Sequence, residues 1–191
     1  MIKEVKDKKL RIFDFDDTLA KVKATIYVRN GNKNFTLTPA EFAVYVAKPG
    51  DVFNFKDFNS VIRKAVPIQK NINLLKQAAS SVNTKVTILT ARMLAYPVKR
   101  YLKQLYNLDI YVVALGHSDP QKKADYIEKE ILKGYSDIVF IDDSLKNVNA
   151  VMALKTKYPD VSLEAIHTTE AEHTDLKESG FVDNIKAKFN N

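Results

Sequence analysis

The stretch FDFDDTL, Phe13 to Leu19, places three acids within four residues. Asp14, Asp16 and Asp17 stand at the end of an apolar run, Leu10, Ile12, Phe13 and Phe15, that reads as a buried strand. A second acidic pair, Asp142 and Asp143, closes a similar run in DIVFIDD. Thr90, Ala91 and Arg92 close VTILTAR, and His117, Ser118, Lys122 and Lys123 follow DIYVVAL. Carboxylates brought to one edge repel each other unless a divalent cation neutralises them, so Asp14 with Asp142 or Asp143 is a candidate Mg²⁺ site. A phosphate beside such an ion needs cationic or amide partners, which Thr90 and its backbone neighbours, Arg92 and a lysine can supply. Together these groups suit a phosphoryl dianion.

Something must hold these strand ends together. From Lys85 onward the chain alternates strand and helix patterns: KVTILT, LAYPVKRYLKQLY, DIYVVAL, PQKKADYIEKEILK, DIVFIDD, SLKNVNAVMALKTK and VSLEAIH. Such alternation predicts right-handed βαβ crossovers, a mainly parallel sheet and a Rossmann-like three-layer α/β sandwich. In sheets of this kind ligands bind outside the carboxyl ends of the strands, which is where the acids, the hydroxyl and the bases fall. Asp119 followed by Pro120 predicts a helix start, with Asp as the cap and Pro at the first position.

Between the first strand and this regular region lies an insertion, placed at about residues 20–66 of a single domain spanning 1–191. KATIYVR and KNFTLT flank an Asn-Gly pair and predict a β-hairpin flap. Thr38, Pro39 and Glu41 form a capping-box signature that predicts a short helix, and IQKNINLLKQAAS has the spacing of an amphipathic one. Phe53, Phe55 and Phe58 read as packing for the insertion, with a lid over a substrate as the alternative. The hairpin tip, between Arg29 and Lys33, is basic; contact with an extended anion and simple solvation are both open.

The chain has no cysteine, so disulfides and thiolate zinc sites are excluded and any metal must be held by oxygen or by the three histidines. Its opening, MIKEVKDKKL, is charged where a signal peptide would be apolar, and no apolar run approaches bilayer length. A cytoplasmic protein without a membrane partner is therefore expected. The net charge of +7 favours encounters with polyanions, although the lysines are scattered and also serve solubility.

The motifs carry a family resemblance. FDFDDTL resembles the D-x-D-x-T signature of haloacid dehalogenase (HAD) superfamily phosphatases, and VTILTAR, the lysine of KKADYI and IVFIDDSLKN resemble that superfamily's second, third and fourth motifs, in order, over Leu10 to Met152. The small insertion is also similar to that of HAD proteins encoded by large tailed phages, some related to end-healing phosphatases. The resemblance implies that Asp14 is a nucleophile forming an aspartyl-phosphate, with Asp16 as proton donor to the leaving group and acceptor from water. It further implies that Thr18 holds the bend after Asp14, and that Thr90 and Ala91 contact phosphate with Arg92 and Lys122. Lys123, preferred to Lys122 as the motif lysine, would bridge nucleophile and phosphate. Asp14, Asp142 and the carbonyl of Asp16 would hold Mg²⁺, with Asp143 through water or as an alternate ligand, and Asn147, one helical turn past Asp143, would orient that acid. Asp16 points to phosphomonoester hydrolysis, and the small flap with the basic balance to a nucleotide or nucleic-acid end as substrate. Two other classes remain: a catalytically silent nucleic-acid-binding module on the same fold, and a receiver-like phospho-accepting domain, whose motif order fits less well.

Overall fold

A computed structural model describes residues 8–60, 62 and 65–168 of the chain. The charged opening up to Asp7 and the polar tail beyond Thr168 lie outside these residues. In chain order the elements begin with β1 (Lys8–Phe13), β2 (Ala20–Val22), β3 (Ile26–Asn30), β4 (Lys33–Leu37), α1 (Pro39–Val44) and β5 (Asp51–Asn54). A 3₁₀ turn (Lys56–Asn59), β6 (Ala65–Pro67), α2 (Gln69–Ser80), β7 (Thr84–Thr90), α3 (Tyr96–Tyr106) and β8 (Tyr111–Ala114) follow. The chain continues through α4 (Pro120–Leu132), β9 (Tyr135–Asp142), α5 (Leu145–Met152), α6 (Leu154–Lys157) and β10 (Ser162–His167).

Five strands form one parallel sheet in the order β10-β9-β1-β7-β8. The α/β expectation holds: β1 lies in the centre, successive strands are laid down on one side of it, and the chain then crosses back to the other. That reversal opens a crevice at the carboxyl ends beside β1, where ligands of such sheets are held. The sheet is apolar on both faces, and alternation along the strands sorts its residues between two cores. Phe13, Ile88, Val139 and Ile141 meet Ile72 and Leu75 of α2 and Val98 and Leu102 of α3. Leu10, Ile12, Leu89, Ile138 and Phe140 meet Ala124 and Ile127 of α4 and Val151 of α5.

Local signals account for most element ends. Thr38 accepts from the Glu41 amide at 3.2 Å while Glu41 Oε2 takes the Thr38 amide at 2.7 Å, a reciprocal capping box. The helix expected from Leu94 starts at Tyr96, because Pro97 is suited to the first turn of a helix and not to its interior. The single helix expected over 144–157 is instead α5 and α6, separated at Ala153, where Thr156 donates to the Ala153 carbonyl three residues back.

In the inserted region β3 and β4 form the expected hairpin, with Asn30 paired to Lys33 across Gly31 at φ +56. The stretch VFNFKDF supplies β5 as the hairpin's third strand and then the 3₁₀ turn. Phe42 packs edge-on to Phe53 and Phe55 with centroids 5.2 and 5.3 Å away, so these aromatics make a small core of their own. A groove of about 480 Å³ on the three-stranded sheet, lined by residues such as Tyr27, Arg29 and Val52, contains none of the strand-end acids.

Candidate active site

Register brings the first two acids together. Phe13 pairs with Ile141, and the Asp14 amide donates to the Ile141 carbonyl at 2.9 Å, which sets Asp14 beside Asp142. Leu10 and Ile12, like Ile138 and Phe140, face the layer of α4, so the next residues in each alternation, Asp14 and Asp142, share that side. Asp119 caps α4 by accepting from the Gln121 amide at 3.0 Å, and Pro120 opens the helix. That start aims Lys123 inward: its Nζ donates to Asp14 Oδ1 at 2.7 Å and to Asp142 Oδ2 at 2.6 Å. Lys122, one position round the helix, is exposed. Asp142 also accepts from the Ser144 amide at 2.8 Å and from Asn147 Nδ2, at 2.9 and 3.1 Å to its two oxygens. Asn147, read in sequence as the partner of Asp143, thus orients Asp142.

Asp14, Asp142 and Asp143 each offer an oxygen within 4.8 Å of the others. Burial is the main influence on Asp14 and holds its carboxyl well above the usual range; Lys123 opposes this, while Asp142, Asp143 and Asp16 add to it. Asp143 is pushed up to about 6, by burial first and then by Asp142 and Asp17, against the hydrogen bond from Thr18. Burial would lower Lys123, but the attraction of Asp14 and Asp142 outweighs it and keeps the ammonium charged well above its ordinary range. Three carboxylates thus face one ammonium. The surplus negative charge, on hard oxygen donors, fits a divalent cation such as Mg²⁺.

The loop after Asp14 is tight. Leu19 and Ala20 amides both donate to the Phe15 carbonyl, at 2.9 and 3.1 Å, and Asp17 turns the chain at φ +56. This turn parts the two lead acids. Asp14 goes to Lys123, whereas Asp16 accepts from Arg92 Nε and Nη2, each at 2.7 Å. Thr18 Oγ1 donates to Asp143 Oδ1 at 3.1 Å and accepts from the Asp143 amide at 3.0 Å, lashing the loop to the end of β9. Thr90 is buried at the end of β7 and its Oγ1 accepts from the Arg92 amide at 3.2 Å; Ala91 between them is half-buried. His117 lies on the exposed loop after β8, its Nδ1 accepting from the Asp119 amide at 2.9 Å.

Two supporting groups escaped the sequence reading. Asn71 of α2, buried, donates to the Thr18 carbonyl at 2.8 Å and to Thr168 Oγ1 at 3.3 Å. Its signal was present: Asn71, Leu74, Leu75 and Ala78 form the buried stripe of α2, and a polar residue in such a stripe needs a partner. His167 Nε2 lies 2.8 Å from the Asp143 carbonyl, a contact with no local signature.

Neither a protein-family model nor a curated protein matches the sequence. Solved structures do. An inactive mutant of the HAD domain of the effector protein Lem4 from Legionella pneumophila is 13% identical, with a TM-score of 0.52 over 95% of this chain and 94% of that one. Another structure of the same Lem4 domain is 15% identical, with a TM-score of 0.48 over 95% of each chain. Identity this low speaks to architecture alone. The parallel five-stranded sheet and its helical layers are those of a HAD fold.

Proposed function

We propose that this protein is a Mg²⁺-dependent phosphomonoesterase of the HAD type that works through an aspartyl-phosphate on Asp14. The observation that carries this reading is the bridge from Lys123 to Asp14 and Asp142, beside a third carboxylate on Asp143, at the crevice of a HAD fold. Asp14 Oδ1 is held by the ammonium, and Oδ2 takes no hydrogen bond from the described residues, leaving it to attack phosphorus. As the Asp14 oxygen bonds to phosphorus, the ester P–O bond breaks and Asp16 gives its proton to the departing alkoxide. Water then attacks the aspartyl-phosphate, Asp16 takes its proton, and phosphate leaves with Asp14 restored. Thr90 and the Ala91 backbone contact the phosphate, Lys122 stands at the rim, and Lys123 keeps Asp14 and the phosphoryl group together against their repulsion. Asp14, Asp142, Asp143 and the Asp16 carbonyl would hold the cation. Bound there, Mg²⁺ would supply neutralisation of the carboxylates and polarisation of the phosphoryl group.

The net charge of +7 and the small inserted segment over about residues 20–66 support a nucleotide or the phosphorylated end of a nucleic acid as substrate. The test is phosphate release from an aryl phosphate, nucleotides, sugar phosphates and 3′- and 5′-phosphorylated oligonucleotides, with Mg²⁺ and with chelator. Release that needs the metal and falls by about three orders of magnitude or more in Asp14→Asn is the expected result. No turnover on any member of the panel would overturn the proposal. Salt-sensitive oligonucleotide binding that survives Asp14→Asn without turnover would replace it with a silent nucleic-acid-binding module.

A further inference from the structure

The bases are spread evenly along the chain, but the acids are not. Residues 20–66 hold eight of the thirty lysines and arginines and three of the twenty-three acids, so five of the seven net positive charges fall in about a quarter of the length. Each of those acids is taken up inside the insertion: Glu41 by the Thr38 amide and hydroxyl, Asp57 by the Thr25 amide, and Asp51 by Asn30 Nδ2, the Tyr45 hydroxyl and the Lys48 amide. Arg29 and Lys56 form no ion pair with the described residues. Alternation turns Ile26 and Val28 of β3 into the insertion's own core, and Tyr27 and Arg29 the other way. Register sets Thr36 and Asn54 opposite Tyr27, and Asn34 and Val52 opposite Arg29, so these six share one face of the β4-β3-β5 sheet. Five of them are exposed and Tyr27 is half-buried, around the groove of about 480 Å³, whose lining includes no acid. Lys56 Nζ lies over the Tyr27 ring, 4.1 Å from its centroid.

We infer that this face binds a single strand of nucleic acid, at a site separate from the strand-end acids. The mixture of groups selects the occupant. Arg29 and Lys56 answer phosphates, Tyr27 and the Arg29 guanidinium plane give bases a surface to stack on beside Val52, and Asn34, Thr36 and Asn54 offer donors and acceptors to base edges. A duplex keeps its bases stacked inside and would leave Tyr27 and Val52 unused, while an acidic peptide would use the cations alone. The Lys56 contact with the ring is a weak, exposed one, so the ammonium can follow a phosphate and release the ring to a base. Three strands, about 10 Å across, and five residues, about 17 Å long, make room for two or three nucleotides, as on other sheet faces that stack bases. The sheet is also anchored beside the crevice: β5 runs into the turn that carries Phe58, whose carbonyl accepts from Arg92 Nη1 at 2.7 Å, and Arg92 holds Asp16. The inference goes beyond the phosphatase reading and does not rest on it.

The experiment titrates a short, unphosphorylated, fluorescein-labelled oligothymidylate with the full chain in chelator, read by fluorescence anisotropy, so that neither a terminal phosphate nor a metal draws the strand to the crevice. Wild type is compared with Tyr27→Ala, Tyr27→Phe, the double variant Arg29→Ala/Lys56→Ala, and Lys99→Ala/Lys103→Ala, which removes the same charge from exposed positions of α3. Circular dichroism checks that each is folded. Tyr27→Ala should weaken binding at least about fivefold, and Tyr27→Phe, which keeps the ring, should stay within about twofold of wild type. Arg29→Ala/Lys56→Ala should weaken it at least about tenfold at low salt and lower the slope of log affinity against log salt by about one. The α3 double variant should change affinity less than about threefold, and the same strand paired to its complement should bind at least about fivefold more weakly than the free strand.

Equal losses in the two double variants would reduce the face to diffuse charge and overturn the inference. So would wild-type affinity in Tyr27→Ala, tighter binding of the duplex, or no binding of the strand at low salt. Should Tyr27→Ala fail to fold, crosslinking of a 5-iodouracil-substituted strand to wild type, mapped by mass spectrometry, decides instead: adducts on β3, β4, β5 or Lys56 support the site, and adducts confined to other segments overturn it. The phosphatase reading fails separately. A chain that hydrolyses phosphate esters without binding the strand loses this inference alone, and one that binds the strand through Tyr27 without turnover loses the phosphatase reading alone.

Discussion

Lys123 is the residue on which the electrostatics of the crevice balance. It is 3% exposed and sits between two carboxylates, so taking it away leaves like charges facing each other in a poorly solvated place. Lys123→Met should therefore lower stability by about 3–5 kcal/mol in chelator at neutral pH, the usual cost of removing one partner from a buried ion pair. Urea denaturation checks this, and a loss below about 1 kcal/mol would place the ammonium in solvent. Asp14→Asn should act in the opposite direction on stability. The Asp14 carboxyl is held above its ordinary range chiefly by burial, so its charged form is costly in the metal-free fold, and a neutral amide removes that cost. The metal-free variant should melt no lower than wild type while losing turnover. A marked fall in its melting temperature would mean that the bond to Lys123 is worth more than the charge it answers.

At the scale of elements, α4 brings Lys123 in from one face of the sheet and α2 brings Asn71 in from the other. The second contact is a backbone one: Asn71 satisfies the carbonyl of Thr18, whose hydroxyl in turn binds Asp143. Asn71→Leu keeps the helix and the stripe but strands a buried carbonyl, at a cost of about 1–3 kcal/mol. A chemical denaturation series would measure it, and a neutral outcome would show that water or the neighbouring chain replaces the amide. Arg92 does for the inserted region what Asn71 does for the loop after β1, since each donates to a backbone carbonyl, that of Phe58 and that of Thr18. The capping signals at Thr38 and Asp119, the Asn-Gly hairpin and the strand-helix alternation were all legible, because each rests on residues within a few positions of one another. The break at Ala153 was not, since no breaker announces it, nor was the third strand at Asp51–Asn54, which follows the Pro49-Gly50 turn but lacks a regular apolar alternation.

For the whole molecule the acid cluster makes stability depend on pH. Asp143 keeps its proton in the folded chain up to about 6, against an ordinary value of 3.8, so over that window the folded state binds more protons than the unfolded one. Stability from this group is complete at the acid end and is lost as pH rises through the folded value. In chelator the melting temperature should accordingly carry a downward contribution between pH 3.8 and about 6, set against whatever the other carboxylates add. Mg²⁺ held as proposed should reverse the sense, because the ionised carboxylates are the ones that would hold it. The metal-induced rise in melting temperature should be larger at pH 7 than at pH 5 (a window of about one unit on either side of Asp143). A rise of equal size at both values would place the cation away from Asp143.

Residue order alone was enough to give an α/β sheet with acids, a hydroxyl and bases at its strand ends, because buried-strand runs, helix periods and caps are encoded between near neighbours. Pairing was another matter. Asp14 finds Lys123 at a separation of 109 residues and Asp16 finds Arg92 at 76, and no short-range rule says which acid takes which base. Strand register, the left-handed turn at Asp17 and the angle at which α4 meets the sheet settle it. These follow from packing two cores against one sheet, a condition that every part of the chain satisfies at once.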